Sequence, residues 1–264
     1  MKTQKDLKNI ELFLLDMDGT IYLGEDVFDG AIDFIKTIIK KNKKYIFLTN
    51  NSSKNKFDYI NKLHRLGFPA DEANIFTSGM AMGIYLNENY KGKKVLLSGT
   101  KALEDELRDN YNINLVNEGG DVAVMGFDTE LTYPKLRAIC DALDSGVPFL
   151  ATNPDLVCPI ENKRYIPDCG SMCIMLENAT GRKPTYIGKP SPYMIDILSK
   201  ELGISKEKIA VIGDRVYTDI ASGYNAGALT ICVLSGEATL KTIEESKIKP
   251  DFIFDSVKDL IDLI

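Results

Sequence analysis

The chain has 264 residues, 44% of them apolar and 27% charged. That composition excludes disordered and fibrous classes and, at ordinary domain sizes, gives one large domain or two modest ones. Its 32 basic and 38 acidic residues leave a net charge of −6, which argues against a broad electrostatic grip on nucleic acid, because a phosphate backbone needs clustered Lys and Arg.

The chain opens with Lys2, Lys5 and Lys8 before an apolar stretch that Glu11 interrupts. That stretch is too short for the core of a signal peptide, and no later run approaches the length of a membrane span. The five cysteines include no C-x-x-C pair, and His64 is the single histidine. Zinc ribbons, thioredoxin-type motifs and H-E-x-x-H metalloproteases therefore have no support. An odd, sparse cysteine set suggests reduced thiols, so a cytoplasmic protein is expected, with no membrane and no nucleic acid among its partners.

In chain order, short β-type runs are predicted at Leu12–Leu15, Tyr45–Leu48, Val95–Leu97, Val122–Met125, Phe149–Ala151, Tyr186–Ile187, Ile209–Ile212 and Thr230–Val233. The clearest helical stretches are Ala31–Lys41, Lys54–Leu66, Tyr133–Leu143 and Pro192–Glu201. Pro134 and Pro192 suit first helical turns, and Gly67, Gly146, Gly203 and Gly227 follow the periodic runs as stop signals do. Alternating strands and helices predict an α/β fold, a Rossmann-like doubly wound parallel sheet. The strand ends in the middle of the chain lack paired acids. The centre, residues 80–180, therefore reads as an inserted α/β module, with 1–79 and 181–264 forming the core.

The strand ends carry the chemistry. Leu12–Leu15 runs into Asp16-Met17-Asp18-Gly19-Thr20, Tyr45–Leu48 into Thr49-Asn50-Asn51, and Ile209–Ile212 into Gly213-Asp214-Arg215. The carboxyl edge of a parallel sheet is where ligands bind. Asp, Asn, Gly and Thr are also ordinary turn residues, so one such ending would mean little. Three that carry acids, amides and hydroxyls point to a site.

Asp16 and Asp18 repel each other unless a cation or a proton offsets the repulsion. Mg²⁺, which takes oxygen ligands and keeps several waters, is the natural partner. Asp214 follows another apolar strand, and Asp219 lies five residues later. Asp16, Asp214 and a backbone carbonyl form a candidate ligand set. Gly188-Lys189 fails the P-loop pattern, because Gly181 lies seven residues before Gly188 and Pro190 takes the Ser/Thr position. Lys189 at the same edge is instead a candidate phosphate counter-charge, with Thr49 and Asn50 as hydroxyl and amide donors.

These parts suit a phosphate monoester. Attack on its dianion by a carboxylate meets like charge, worth about 4 kcal/mol at ~4 Å and an effective dielectric of about 20. Mg²⁺ and Lys189 would relieve that repulsion. A second acid would protonate the leaving alcohol and then activate water, which implies covalent catalysis through an aspartyl phosphate.

Asp16-Met17-Asp18-Gly19-Thr20, Thr49-Asn50, Lys189-Pro190 and Gly213-Asp214-x4-Asp219 resemble the four motifs of the haloacid dehalogenase superfamily, in order, over nearly the whole chain. Thr-Asn-Asn, Gly-Lys-Pro-Ser-Pro-Tyr and the insertion between them resemble the subgroup with a type IIA cap. That subgroup holds the NagD-like, para-nitrophenyl and pyridoxal phosphatases, and the bacterial NagD-like branch, often called acid sugar phosphatases, is the nearest in pattern. The resemblance implies Asp16 as nucleophile and Mg²⁺ ligand, and Asp18 as general acid/base with its backbone carbonyl on the metal. It implies Thr49 and Asn50 on the phosphoryl group, and Lys189 neutralising nucleophile and phosphate. Asp214 would ligate Mg²⁺, Asp219 would orient the metal's surroundings, and Arg215 to Thr218 would lie beside the metal, where Arg215 and Thr218 help bind substrate. An acid at Asp18 favours phosphoryl transfer over dehalogenation. A cap of this type implies small phosphorylated metabolites, sugar phosphates among them, and homodimers occur in such families. Cys158 stands near the place of a pyridoxal-phosphatase histidine, which weakens that substrate.

Rival readings are weaker. Cys158 and Arg164 match C-x5-R, the spacing of cysteine-dependent phosphatases, but the segment between them has no glycine and carries Glu161. His64 reads as a helix-end residue, and Cys169 and Cys173 as small buried core residues. Tyr217 reads equally as packing or as facing substrate. A second class of function is a non-catalytic metabolite-binding module of the same fold; intact paired acids argue against it, because they cost stability without a cation.

Overall fold

The computed structural model describes residues 7–160 and 164–264. Lys2 and Lys5 at the start, and Glu161 within the C-x5-R segment, lie outside the described residues. The described chain divides into two compact units: the first holds the residues up to Thr49 with Lys56–Phe76 and Lys189–Ile264, the second Asn50–Asn55 with Thr77–Gly188.

The first unit is built on a six-stranded sheet. Its order is Phe252–Phe254, Leu229–Val233, Ile209–Gly213, Leu12–Leu15, Lys44–Thr49 and Ile75–Thr77. The first five of these pair in parallel, with Leu15 opposite Ile212 on one side and Phe47 on the other. The central strands are buried at every position and, Thr230 apart, carry no polar side chain, as parallel strands between helices require. The Ala31–Lys40 helix turns Phe34, Ile35 and Ile38 onto this sheet's core, where Phe34 meets Phe13 edge to face at 5.9 Å. Burial of one such ring stabilises by about 1.5–3 kcal/mol. The Lys56–Arg65 helix buries Tyr59 and Leu63 in the same core, and its exposed side is charged.

A small antiparallel hairpin, Tyr22–Leu23 with Asp26–Val27, follows the first strand. Tyr22 is fully buried, and Arg65 from the helix grips Glu25 with two hydrogen bonds of 2.8 and 3.1 Å. The hairpin was not expected, because its strands are too short to show alternation.

The second unit has its own parallel sheet, ordered Thr185–Tyr186, Phe149–Ala151, Val122–Met125, Lys94–Ser98 and Asn114–Val116. Val157–Ile160 and Arg164–Pro167 form a separate antiparallel pair. Met125, Ile139, Leu143, Phe149, Met172 and Leu176 share one core. The second unit runs from Thr77 to Gly188 and takes in Asn50–Asn55. Thr77 caps the Ser78–Asn89 helix, and the Asn50 carbonyl accepts hydrogen bonds from Ser78 Oγ and Asn153 Nδ2, so both boundary segments are tied into the second unit.

Among the described residues no helix is long and apolar enough to cross a membrane. The five cysteines are free thiols, and Cys169 and Cys173 lie buried in the core of the second unit, as expected.

Candidate active site

Two acids leave neighbouring parallel strands at the same edge. Asp16 follows Leu15, and Asp214 follows the Ile209–Gly213 strand paired with it; the Asp16 amide donates to the Ile212 carbonyl at 2.9 Å. Asp219 returns to this edge through a π-helical turn, Val216–Ile220, and accepts from the Arg215 amide at 3.1 Å. Such turns recur at functional sites because they re-aim a side chain. Carboxylate oxygens of Asp16, Asp214 and Asp219 all lie within 4.8 Å of one another.

Lys189 enters this group from the other end of the chain. Its Nζ lies 2.6 Å from Asp16 Oδ1, 2.6 Å from Asp219 Oδ1 and 3.1 Å from the Leu48 carbonyl. The side chain is 3% exposed. Burial alone would lower the lysine's pKa, but the adjacent Asp16 and Asp219 overcome it and raise it above its ordinary value, so the ammonium stays charged. A buried charge is tolerated only with such partners.

The acids pay the opposite cost. Burial holds the Asp16 carboxyl well above the usual range, Lys189 pulls it down, and Asp219 and Asp214 push it up again. Burial and Asp219 push Asp214 up to about 6, although the Glu237 backbone amide and Arg215 favour its ionised form. Asp214 also accepts from the Glu237 amide at 2.8 Å and from Thr20 Oγ1 at 3.4 Å. Three converging oxygen donors, two of them hard to ionise without a further positive charge, fit a hard divalent cation such as Mg²⁺.

Asp18 sits apart from the buried group. Its side chain is 47% exposed and lies 3.7 Å from the Lys62 ammonium. Thr49 is buried at the end of its strand, one residue beyond the carbonyl that Lys189 binds. Arg215 reaches Glu237 at 3.0 Å, and its charge acts on Asp16 and Asp214. Thr218 is buried in the turn before Asp219. Asn50 belongs to the second unit, where its amide donates to Asp155 Oδ2 at 3.1 Å. Of the expected residues, the structure thus gathers Asp16, Asp214, Asp219 and Lys189 into one cluster. Tyr217 is exposed, with its hydroxyl on Glu237 at 3.1 Å.

Sequence reasoning missed the loop after the Leu229–Val233 strand. There Ser235 Oγ donates to the Gly19 carbonyl at 2.8 Å, Glu237 supplies its amide to Asp214, and a Cβ on Gly236 would strike the Asp214 carboxylate. The signal was present, since Ser-Gly-Glu after an apolar strand is one more polar ending at the carboxyl edge. The C-x5-R rival loses its geometry. Arg164 pairs with Ile160 and Cys158 with Ile166 in a hairpin, and Cys158 Sγ faces the Pro159 carbonyl at 3.6 Å.

Comparison with known proteins agrees with this geometry. Residues 13–112 match the family described as haloacid dehalogenase-like hydrolase, and residues 186–260 match a HAD-hydrolase-like family. The chain is 32% identical to an acid sugar phosphatase of Staphylococcus aureus over 97% of this chain and 98% of that protein. It superposes on the 4-nitrophenylphosphatase of Thermotoga maritima with a TM-score of 0.93 and 39% identity, covering 97% of this chain and 98% of the other. NagD from E. coli K-12 gives a TM-score of 0.88 at 30% identity, covering 97% and 99%. Edge acids, buried lysine and whole-length similarity together show that the chain belongs to the haloacid dehalogenase-like hydrolases, in their NagD-like branch.

Proposed function

We propose that this phosphatase is an Mg²⁺-dependent phosphomonoesterase that hydrolyses small phosphorylated metabolites through a phosphoryl group carried on Asp16. The observation that carries the reading is Lys189 held between Asp16 and Asp219, with Asp214 beside them. The names of its relatives, acid sugar phosphatase and 4-nitrophenylphosphatase, favour sugar phosphates and other small monoesters.

Asp16, Asp214 and the backbone carbonyl of Asp18 are the residues that would hold the ion, with Asp219 orienting the surroundings. When bound, Mg²⁺ supplies positive charge that offsets the repulsion between nucleophile and phosphate dianion. The remaining chemistry belongs to side chains. Asp16 Oδ attacks phosphorus, and the bond to the ester oxygen breaks with its electron pair leaving on that oxygen. Asp18 gives the leaving oxygen a proton, then takes one from the water that releases phosphate from Asp16. Lys189 favours the ionised form of Asp16 and balances charge on the transferred group. Thr49, Asn50, Arg215 and Thr218 bind the phosphoryl group and the substrate around it. Reduced thiols and the lack of a spanning helix among the described residues fit a cytoplasmic enzyme, and nothing in the chemistry requires nucleic acid.

The test is turnover of para-nitrophenyl phosphate with Mg²⁺ and with EDTA, beside Asp16→Asn. Turnover that needs both the ion and Asp16 is expected. Activity surviving in Asp16→Asn would overturn the mechanism, and folded protein that binds phosphate esters without turnover would favour a binding module.

A further inference from the structure

Lys62 sits on the Lys56–Arg65 helix, whose Asp58, His64 and Arg65 are exposed. Its own side chain is only 18% exposed. The ammonium lies 3.9 Å from the centroid of the Tyr22 ring and 3.7 Å from Asp18 Oδ1. A cation that close to an aromatic face is attracted by the ring's quadrupole, and more strongly when it is shielded from water.

The ring is a fixed platform. Tyr22 is fully buried and packs tilted against Phe68 at 6.5 Å between centroids. Burial first, then the charges of Asp18 and Asp16, hold its hydroxyl protonated, so it adds no competing negative charge under the lysine. Residue 18 also bridges residue 22 through the backbone, which ties the loop carrying the acid to the hairpin carrying the ring. Asp18 itself is half-exposed, and each contact its carboxylate makes on the protein side narrows the rotamers it samples.

We propose that Lys62 is a positioning residue for Asp18: its ammonium, seated on Tyr22, holds the Asp18 carboxylate in the orientation that serves the leaving oxygen. This rests on the reading of Asp18 as proton donor. The arrangement separates two needs. The proton donor must be open to substrate, and its anchor must be sheltered from water to keep its direction.

Leaving-group dependence isolates this role. When the phosphorus–oxygen bond breaks, para-nitrophenolate departs readily as an anion, whereas phenolate without the nitro group benefits from receiving a proton. The two esters share the same ring, so the ratio of their kcat/KM values reports proton donation rather than fit. The phenyl to para-nitrophenyl phosphate ratio is measured for the natural protein, Asp18→Asn, Lys62→Met and Lys62→Arg, each with its melting temperature.

Asp18→Asn is expected to lower the ratio at least about tenfold, Lys62→Met about fivefold, and Lys62→Arg to restore it within about twofold, because Arg also stacks on aromatic faces and pairs with carboxylates. A ratio unmoved in folded Lys62→Met would overturn the positioning role while leaving the Asp18 reading intact. Equal losses in Lys62→Met and Lys62→Arg would also overturn it, since packing rather than charge would then be at work. A ratio unmoved by Asp18→Asn would remove the proton donor and the proposal together.

Discussion

Lys189 Nζ lies 2.6 Å from Asp16 Oδ1, although 173 residues separate the two in the chain. The contact joins the first strand of the core to the point where the chain returns to it after the second unit. A buried carboxylate and the cation that balances it are thus supplied by two distant segments of one unit.

Asp16→Asn keeps the shape and a hydrogen-bonding oxygen for Lys189 but removes the proposed nucleophile. Turnover of para-nitrophenyl phosphate is expected to fall at least about a thousandfold. Far-UV circular dichroism is expected to be unchanged, because the residue's burial penalty falls along with its charge. Steady-state kinetics beside the spectrum check both parts.

Lys189→Met leaves Asp16, Asp214 and Asp219 without their buried cation. Removing one partner of such a group costs about 3–5 kcal/mol. The variant's loss of stability in urea is expected to be largest in EDTA and smaller in Mg²⁺. A loss independent of Mg²⁺ would mean that the ion does not share the space between these acids.

Asp214 carries a pH dependence with a definite sign. Its carboxyl is pushed up to about 6, so the folded metal-free protein holds that proton more tightly than the unfolded chain does. This group's contribution to stability is greatest in acid and is lost as pH rises from about 4, the unfolded value, through about 6. Cation binding must displace the same proton, so Mg²⁺ affinity is expected to rise across pH 6. Calorimetric titrations at pH 5, 6 and 7 measure this directly.

Cys158→Ser is expected to leave kcat/KM unchanged, and iodoacetamide is expected not to inactivate the protein, because Cys158 lies in an extended hairpin strand opposite Ile166. Thiol-dependent activity would revive the cysteine mechanism.

The acids were legible in the sequence because a parallel sheet places every strand's end at one edge. Knowing that Leu12–Leu15 and Ile209–Gly213 are strands is almost enough to bring Asp16 and Asp214 together. Lys189 was legible for the same reason, flanked by Gly188 and Pro190 after a short strand. The Ser78–Asn89 helix was hidden. Gly79 and Gly83 lower its helix propensity, yet they are there because Leu103 and Tyr111 pack where a side chain would stand. The short strands Ile75–Thr77 and Asn114–Val116 show no alternation to read. Lys62 was illegible for another reason. On a charged helix a lysine reads as solvated, and only the position of the Tyr22 ring, set by a two-residue strand, shows where its ammonium goes.

Two glycines bring backbone close against Asp214. Gly19, with a φ of +92°, and Gly236 approach its carboxylate from two loops, and a Cβ on either would collide with it. The acid's freedom to meet a ligand is therefore governed by atoms that are missing. A methyl group added at Gly236 would force the Asp214 carboxylate or its loop to shift, with every acid and the lysine still in the sequence. The site can then be silenced by bulk as well as by chemistry, and a relative that keeps all four motifs but carries a side chain at this loop position would be a phosphatase in signature and not in activity.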